Sequence, residues 1–213
     1  MSNPVSRNPV LLIHGIDDTV ALFTPMTAYL QKQGWSVHSL DLIPNNGNEG
    51  LDVLAQQVAN YVDRTFAPDQ PLDLVGFSMG GIVSRYYVQR LGGIDRVQRF
   101  VTISSPHNGT WTGYLRFNPG CKQMCRNSLF LQDLNRDAAM LNQINFTSLW
   151  TPMDLMIVPA NSSRLPVGRE VVLPVAGHAW MVSDPRALQE VANALSEPIR
   201  SDRQFGYIPL PQK

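Results

Sequence analysis

One stretch constrains this chain more than any other: Leu72-Asp73-Leu74-Val75-Gly76-Phe77-Ser78-Met79-Gly80-Gly81-Ile82-Val83 runs apolar, then Gly-x-Ser-x-Gly, then amphipathic. The apolar run reads as a buried strand and the residues after the motif as a helix. A serine on so sharp a strand-to-helix turn is pushed into a strained backbone conformation. It leaves no room for side chains two residues to either side, and Gly76 and Gly80 supply that room. The Ser78 hydroxyl then stands clear of the sheet, and the Met79 N–H at the helix start points where an oxyanion would form. The plainer alternative is a glycine-rich turn with a capping serine; the strand before and the helix after argue against it.

Around this turn, continuous apolar runs alternate with helical periodicity. Asn8 to Ile13, Trp35 to Leu40, Val97 to Ser104, Phe146 to Trp150 and Glu170 to Val175 read as further strands. Helices are expected around Leu22 to Gln33, from Leu51 through Val62, along Ile82 to Leu91, within Ser128 to Asn142 and over Pro185 to Leu195. Strands that are apolar throughout, separated by helices, argue a mostly parallel sheet of about six strands covered on both faces. At 213 residues the chain is expected to form one domain, 1–213. A loosely patterned insertion at about 106–145 should overhang the carboxyl edge of the sheet, and the proline-bearing tail to Lys213 reads as an extended surface segment.

Seventeen basic and seventeen acidic residues cancel, and no Lys/Arg run forms a phosphate-binding stripe, which argues against a nucleic-acid partner. The start of the chain is polar, and no stretch approaches the ~18 apolar residues of a membrane span, so the expected location is cytoplasmic, with peripheral contact to lipid left open. Cys121 and Cys125, four apart, are close enough for a small-loop disulfide and equally able to stay as thiols. Neither a cofactor nor metal ligands can be assigned.

A serine hydroxyl is a poor nucleophile near neutral pH and needs a histidine as base and a carboxylate to orient it. Strand ends at the carboxyl edge of a parallel sheet converge, so distant loops meet there. Asp154 follows the strand after the insertion and His178 follows the last strand, giving the order Ser, Asp, His. The Ile16 N–H, in the turn after the first strand, is the expected second oxyanion donor beside Met79. Among rivals, His14 is placed to brace that turn, His38 lies inside a strand, and His107 is a possible base without a well-placed acid. Asp17, Asp18 and Asp41 fit turn or capping roles, and Asp184 before Pro185 reads as a helix N-cap.

With His14-Gly15-Ile16, Gly76-Phe77-Ser78-Met79-Gly80-Gly81, Thr102-Ile103-Ser104-Ser105-Pro106-His107-Asn108-Gly109-Thr110, Asp154 and Gly177-His178, the chain resembles the α/β-hydrolases, specifically the small bacterial class 2 triacylglycerol lipases. The resemblance implies hydrolysis of carboxylic esters of lipids through an acyl-enzyme: Ser78 as nucleophile, His178 as base then acid, Asp154 orienting it, and Ile16 and Met79 as backbone donors. Larger lipases of the group carry calcium and a long helical lid; no calcium ligands are assignable here, and the insertion is short. Its Trp111, Tyr114, Leu115, Phe117, Leu129, Phe130 and Leu131 could line an acyl groove, form a short lid or pack into the core. The same constellation would serve an acyltransferase, thioesterase or amidase, and a non-catalytic lipid-binding relative is the remaining alternative.

Overall fold

The computed structural model describes residues 7–200; the expected extended tail beyond Arg200 lies outside them. Six strands, β1 (Val10–Ile13), β2 (Val37–Leu40), β3 (Leu72–Phe77), β4 (Val97–Ile103), β5 (Asn145–Trp150) and β6 (Arg169–Val172), form one sheet in the order β2-β1-β3-β4-β5-β6. Every pairing is parallel, so the sheet is parallel throughout rather than mostly so.

Side chains alternate across this sheet, as the two-residue period of a strand requires. Leu11, Ile13, Leu72, Leu74, Phe100 and Phe146 enter one core, which α2 (Leu51–Thr65) and α3 (Met79–Arg90) cover. Val10, Leu12, Val75, Phe77, Val101, Ile103 and Leu149 enter the other, covered by α1 (Thr24–Lys32) and α7 (Pro185–Ser196). The expected helix from Leu22 begins instead as a 3-10 turn, Val20–Phe23, before α1. Asp184 accepts from Arg186 N–H at 2.9 Å and caps α7, with Pro185 in the first turn, as the Asp-Pro pair implies.

The last strand is shorter than its apolar run. It stops at Val172, although Leu173 N–H still donates to Trp150 O at 2.9 Å. Pro174 has no N–H with which to extend the ladder, and the chain turns through Val175 and Gly177 N–H bonds instead. The region 106–145 holds a 3-10 turn (Trp111–Leu115), α5 (Pro119–Gln123), α6 (Leu129–Arg136) and a second 3-10 turn (Ala138–Gln143); α4 (Gly93–Arg96) precedes it. It is fastened to α3 by the fully buried Arg85, whose guanidinium donates to Gln89, Asn135 and the Leu134 carbonyl. Burial pushes this arginine down to about 9. No described helix is long and apolar enough to cross a membrane.

Candidate active site

Sheet register brings the candidate residues to one edge. Ile13 pairs with Gly76, Phe77 with Ile103, and Ile103 with Leu149, so the chain leaves β1, β3, β4 and β5 side by side at their carboxyl ends. Between β1 and β3 the chain order reverses, since β2 lies on the far side of β1. A crevice opens at such a switch point, and the two loops bounding it are His14 to Asp18 and the turn at Ser78.

Ser78 has φ 54° and ψ −122°, a left-handed conformation that costs a non-glycine residue about 1–3 kcal/mol. Its N–H donates to Ile103 O at 2.8 Å, and its carbonyl accepts from Gly81 N–H at 3.1 Å. A methyl group on Gly76 would stand 2.5 Å from Gly81 Cα, and one on Gly80 would run into the Ile13 and His14 carbonyls. The glycines are therefore required by space.

Asp154 occupies a tight turn after β5. Its Oδ1 accepts from Met156 N–H at 2.9 Å and Ile157 N–H at 2.8 Å, and its Oδ2 lies 2.7 Å from His178 Nδ1. The acid and histidine segments are also joined by Thr151 Oγ1, which donates to Val175 O at 2.6 Å. The His178 ring packs on Phe77, centroids 4.7 Å apart, next to the turn at Ser78. With Nδ1 committed to Asp154, Nε2 is the nitrogen left to exchange a proton. Ser78 and the ring share no hydrogen bond among the described residues.

Neither Ile16 N–H nor Met79 N–H finds an acceptor among the described residues. The Gly15–Ile16 peptide is aimed by His14: its Nδ1 lies 2.8 Å from Gly15 O, and its Nε2 accepts from Leu42 N–H at 3.0 Å. A trans peptide points its C=O and N–H in opposite directions, so fixing the carbonyl on His14 turns the Ile16 N–H the other way. A methyl on Gly15 would meet Ser78 Cβ at 3.1 Å, which puts this peptide beside the turn at Ser78.

The other histidines are held away from Ser78, although His107 Nδ1 is buried without a hydrogen-bond partner among the described residues. Both nitrogens of His14 are used. His107 is fully buried on Thr102 Oγ1, 3.0 Å from Nε2, and against Phe146; burial, and then the Arg85 charge, hold it well below the usual imidazole range. His38 lies 3.2 Å from Ser36 Oγ and edge-on to Phe66.

A cleft of about 350 Å³ opens from Ser78, walled by Ile16, Pro106, Leu115, Met124, Met156 and Ile157 among others. The insertion residues divide. Leu131 is core, Phe130 stacks on Tyr86, and Leu115 lines the cleft. Trp111, Tyr114, Phe117 and Leu129 are exposed. The wall supplied by Leu155, Met156 and Ile157 goes beyond the sequence reading, although an apolar run directly after a turn aspartate was its signal. Cys121, also on the cleft, and Cys125 are buried free thiols pushed up by burial. Among the described residues no three His, Cys, Asp or Glu side chains gather to hold a metal ion.

The backbone is similar to that of Aspergillus fumigatus lipase B, with a TM-score of 0.77 and 19% identity over 92% of this chain and 54% of that one. It is also similar to Bacillus licheniformis lipase BlEst2 in its mature form, with a TM-score of 0.72 and 14% identity over 91% and 94%. At such identities the likeness is one of fold, the α/β-hydrolase fold. Human lysosomal thioesterase PPT2 is 31% identical over 121 residues, 53% of this chain and 39% of that protein. The chain thus matches about two fifths of that relative's length. The palmitoyl protein thioesterase family matches residues 9–125, a stretch that holds the Ile16 and Ser78 loops and ends before Asp154 and His178. Covering more than half of the 213 residues, that match means that the chain belongs to the palmitoyl protein thioesterase family.

Proposed function

We propose that this chain is a serine hydrolase of acyl esters and thioesters, acting as a single α/β unit. The observation that carries the reading is the 2.7 Å contact of His178 Nδ1 with Asp154 Oδ2, formed beside a serine held at φ 54° at the end of an apolar cleft. In the proposed reaction Ser78 Oγ attacks the acyl carbonyl carbon while His178 Nε2 takes its proton. The oxyanion receives the Ile16 and Met79 N–H groups, each donor being worth ~10²–10³ in rate. As the carbon–oxygen or carbon–sulfur bond breaks, His178 returns the proton to the departing alcohol or thiol. Water then attacks the acyl-serine by the same route, releasing the acid and restoring Ser78.

An apolar cleft is suited to an acyl chain rather than to a polar substrate. Leu115 and Leu155 line it and are exposed at 80% and 82%, and Trp111 and Phe117, adjacent in sequence to the lining residues Thr112 and Arg116, are exposed as well. Exposed apolar side chains gathered in this way favour contact with a lipid surface, which the proposal includes. The thioester reading is favoured by the family match, the lipid oxoester reading by the open apolar mouth. Turnover of palmitoyl thioesters against palmitoyl oxoesters, with Ser78→Ala as blank, separates them. Equal rates for the native chain and the blank on both substrates would remove the hydrolase reading altogether.

A further inference from the structure

Four of the charged or polar groups near Ser78 have partners: Asp154 and His178 in each other, His14 in Gly15 and Leu42, and Asp17 in Arg116. Asp18 is the exception. Its carboxylate accepts no hydrogen bond from any described residue, and the capping role expected of it goes elsewhere, since Val20 N–H donates to Asp41 Oδ1 at 2.7 Å.

The location of Asp18 is specific. A methyl group on Gly15 would stand 2.9 Å from Asp18 Oδ2, 3.1 Å from Ser78 Cβ and 3.3 Å from Phe77 Cδ1, and the Phe77 ring carries His178 on its face. Asp18 and His178 are both absent from the wall of the acyl cleft, whereas Ser78 and Ile16 belong to it. The cleft wall carries, beside its apolar groups, the mutually paired Asp17 and Arg116, whereas His178 and the unpartnered Asp18 stand outside that wall, next to Phe77 and the Ser78 turn. The group that leaves is the one His178 protonates, so it departs on the Asp18 side.

We propose that Asp18 determines leaving-group specificity, its carboxylate favouring esters whose alcohol portion carries a positive charge or a hydroxyl donor and disfavouring anionic ones. The proposal rests on the hydrolase reading above. The titratable groups around Asp18 are His14, His178 and Asp17, and the last is paired with Arg116. Burial, the largest influence, holds the Asp18 carboxyl above the usual carboxylate range, so the preference should weaken toward acid pH.

The test compares kcat/KM for a choline ester with that for the uncharged dimethylbutyl ester of the same acid. The native chain should prefer the choline ester. Asp18→Asn should lower that preference about fivefold, as loss of one charge at short range in a partly solvated site implies, and Asp18→Glu should retain it. Loss of both activities in equal proportion would assign Asp18 a structural role and overturn the proposal, as would an unchanged ratio. Should Asp18→Asn not fold, the native chain still decides: the preference must fall as ionic strength rises, and a salt-independent ratio overturns the proposal. If the native chain turns over neither ester, the hydrolase reading fails first. Ligand-observed NMR with tetramethylammonium ion then reads Asp18 alone, where binding abolished by Asp18→Asn supports the proposal and equal binding refutes it.

Discussion

His178 Nδ1 lies 2.7 Å from Asp154 Oδ2, while Oδ1 of the same carboxylate is held by the Met156 and Ile157 N–H groups. One edge of the carboxylate is thus pinned by backbone and the other presented to the ring. Asp154→Asn preserves the pinned edge but can place an amide N–H against Nδ1, selecting the wrong tautomer. Under the proposed reaction kcat falls about 10³–10⁴-fold with little change in KM. Steady-state kinetics check this, and a loss below tenfold would remove the pair from the chemistry.

His14 acts at one remove, by fixing the Gly15 carbonyl. His14→Phe retains most of the ring volume, leaves the Gly15 carbonyl only the long 3.4 Å bond from Asp18 N–H, and leaves the buried Leu42 N–H without an acceptor. A fall in kcat of about 10–10²-fold is expected from a misaimed Ile16 donor, together with a stability loss of about 1–3 kcal/mol from the unpaired N–H. Kinetics and denaturant unfolding on the same variant separate the two effects.

His107 makes stability depend on pH. Its native pKa lies well below the ordinary imidazole value, so below about pH 6.5 the unfolded chain binds a proton that the folded chain refuses. Stability therefore falls as pH falls, by up to about 1.4 kcal/mol per unit from this residue. The slope persists down to its native pKa. His107→Gln removes this contribution, and its unfolding free energy should vary less between pH 7 and pH 5 than that of the native chain.

The apolar mouth is tested by Leu115→Asp combined with Leu155→Asp. Both side chains are exposed, at 80% and 82%, so folding should be little affected. Binding to neutral lipid vesicles should weaken about tenfold or more, each lost leucine contact being worth about 1 kcal/mol or above. Co-sedimentation reads the binding, and unchanged partitioning would dismiss lipid contact at this face.

Much of this architecture was legible because its signals are local. The Gly76 to Gly80 turn, the alternation of apolar runs with helical periods and the Asp-Pro start of α7 each depend on residues adjacent in sequence. Shared cleft walls were less legible. Nothing near Leu155 in the sequence shows that it lines the same cleft as Leu115, and the unpartnered state of Asp18 goes with Asp41 having taken the Val20 N–H. The end of β6 is not legible in the hydrophobic pattern because Leu173 and Val175 are apolar and buried without being strand: burial sets that pattern, whereas Pro174 sets where pairing ends.

In the proposed reaction Ser78 carries the acyl group. The most direct test is mass spectrometry of the peptide bearing Ser78 after rapid quenching of turnover with an activated palmitoyl ester. The account predicts a palmitoyl adduct on Ser78 that forms in native protein, accumulates in a variant slowed in deacylation, and is absent from Ser78→Ala, which also loses turnover. Turnover by Ser78→Ala at the native rate, with no adduct on the native chain, would contradict it.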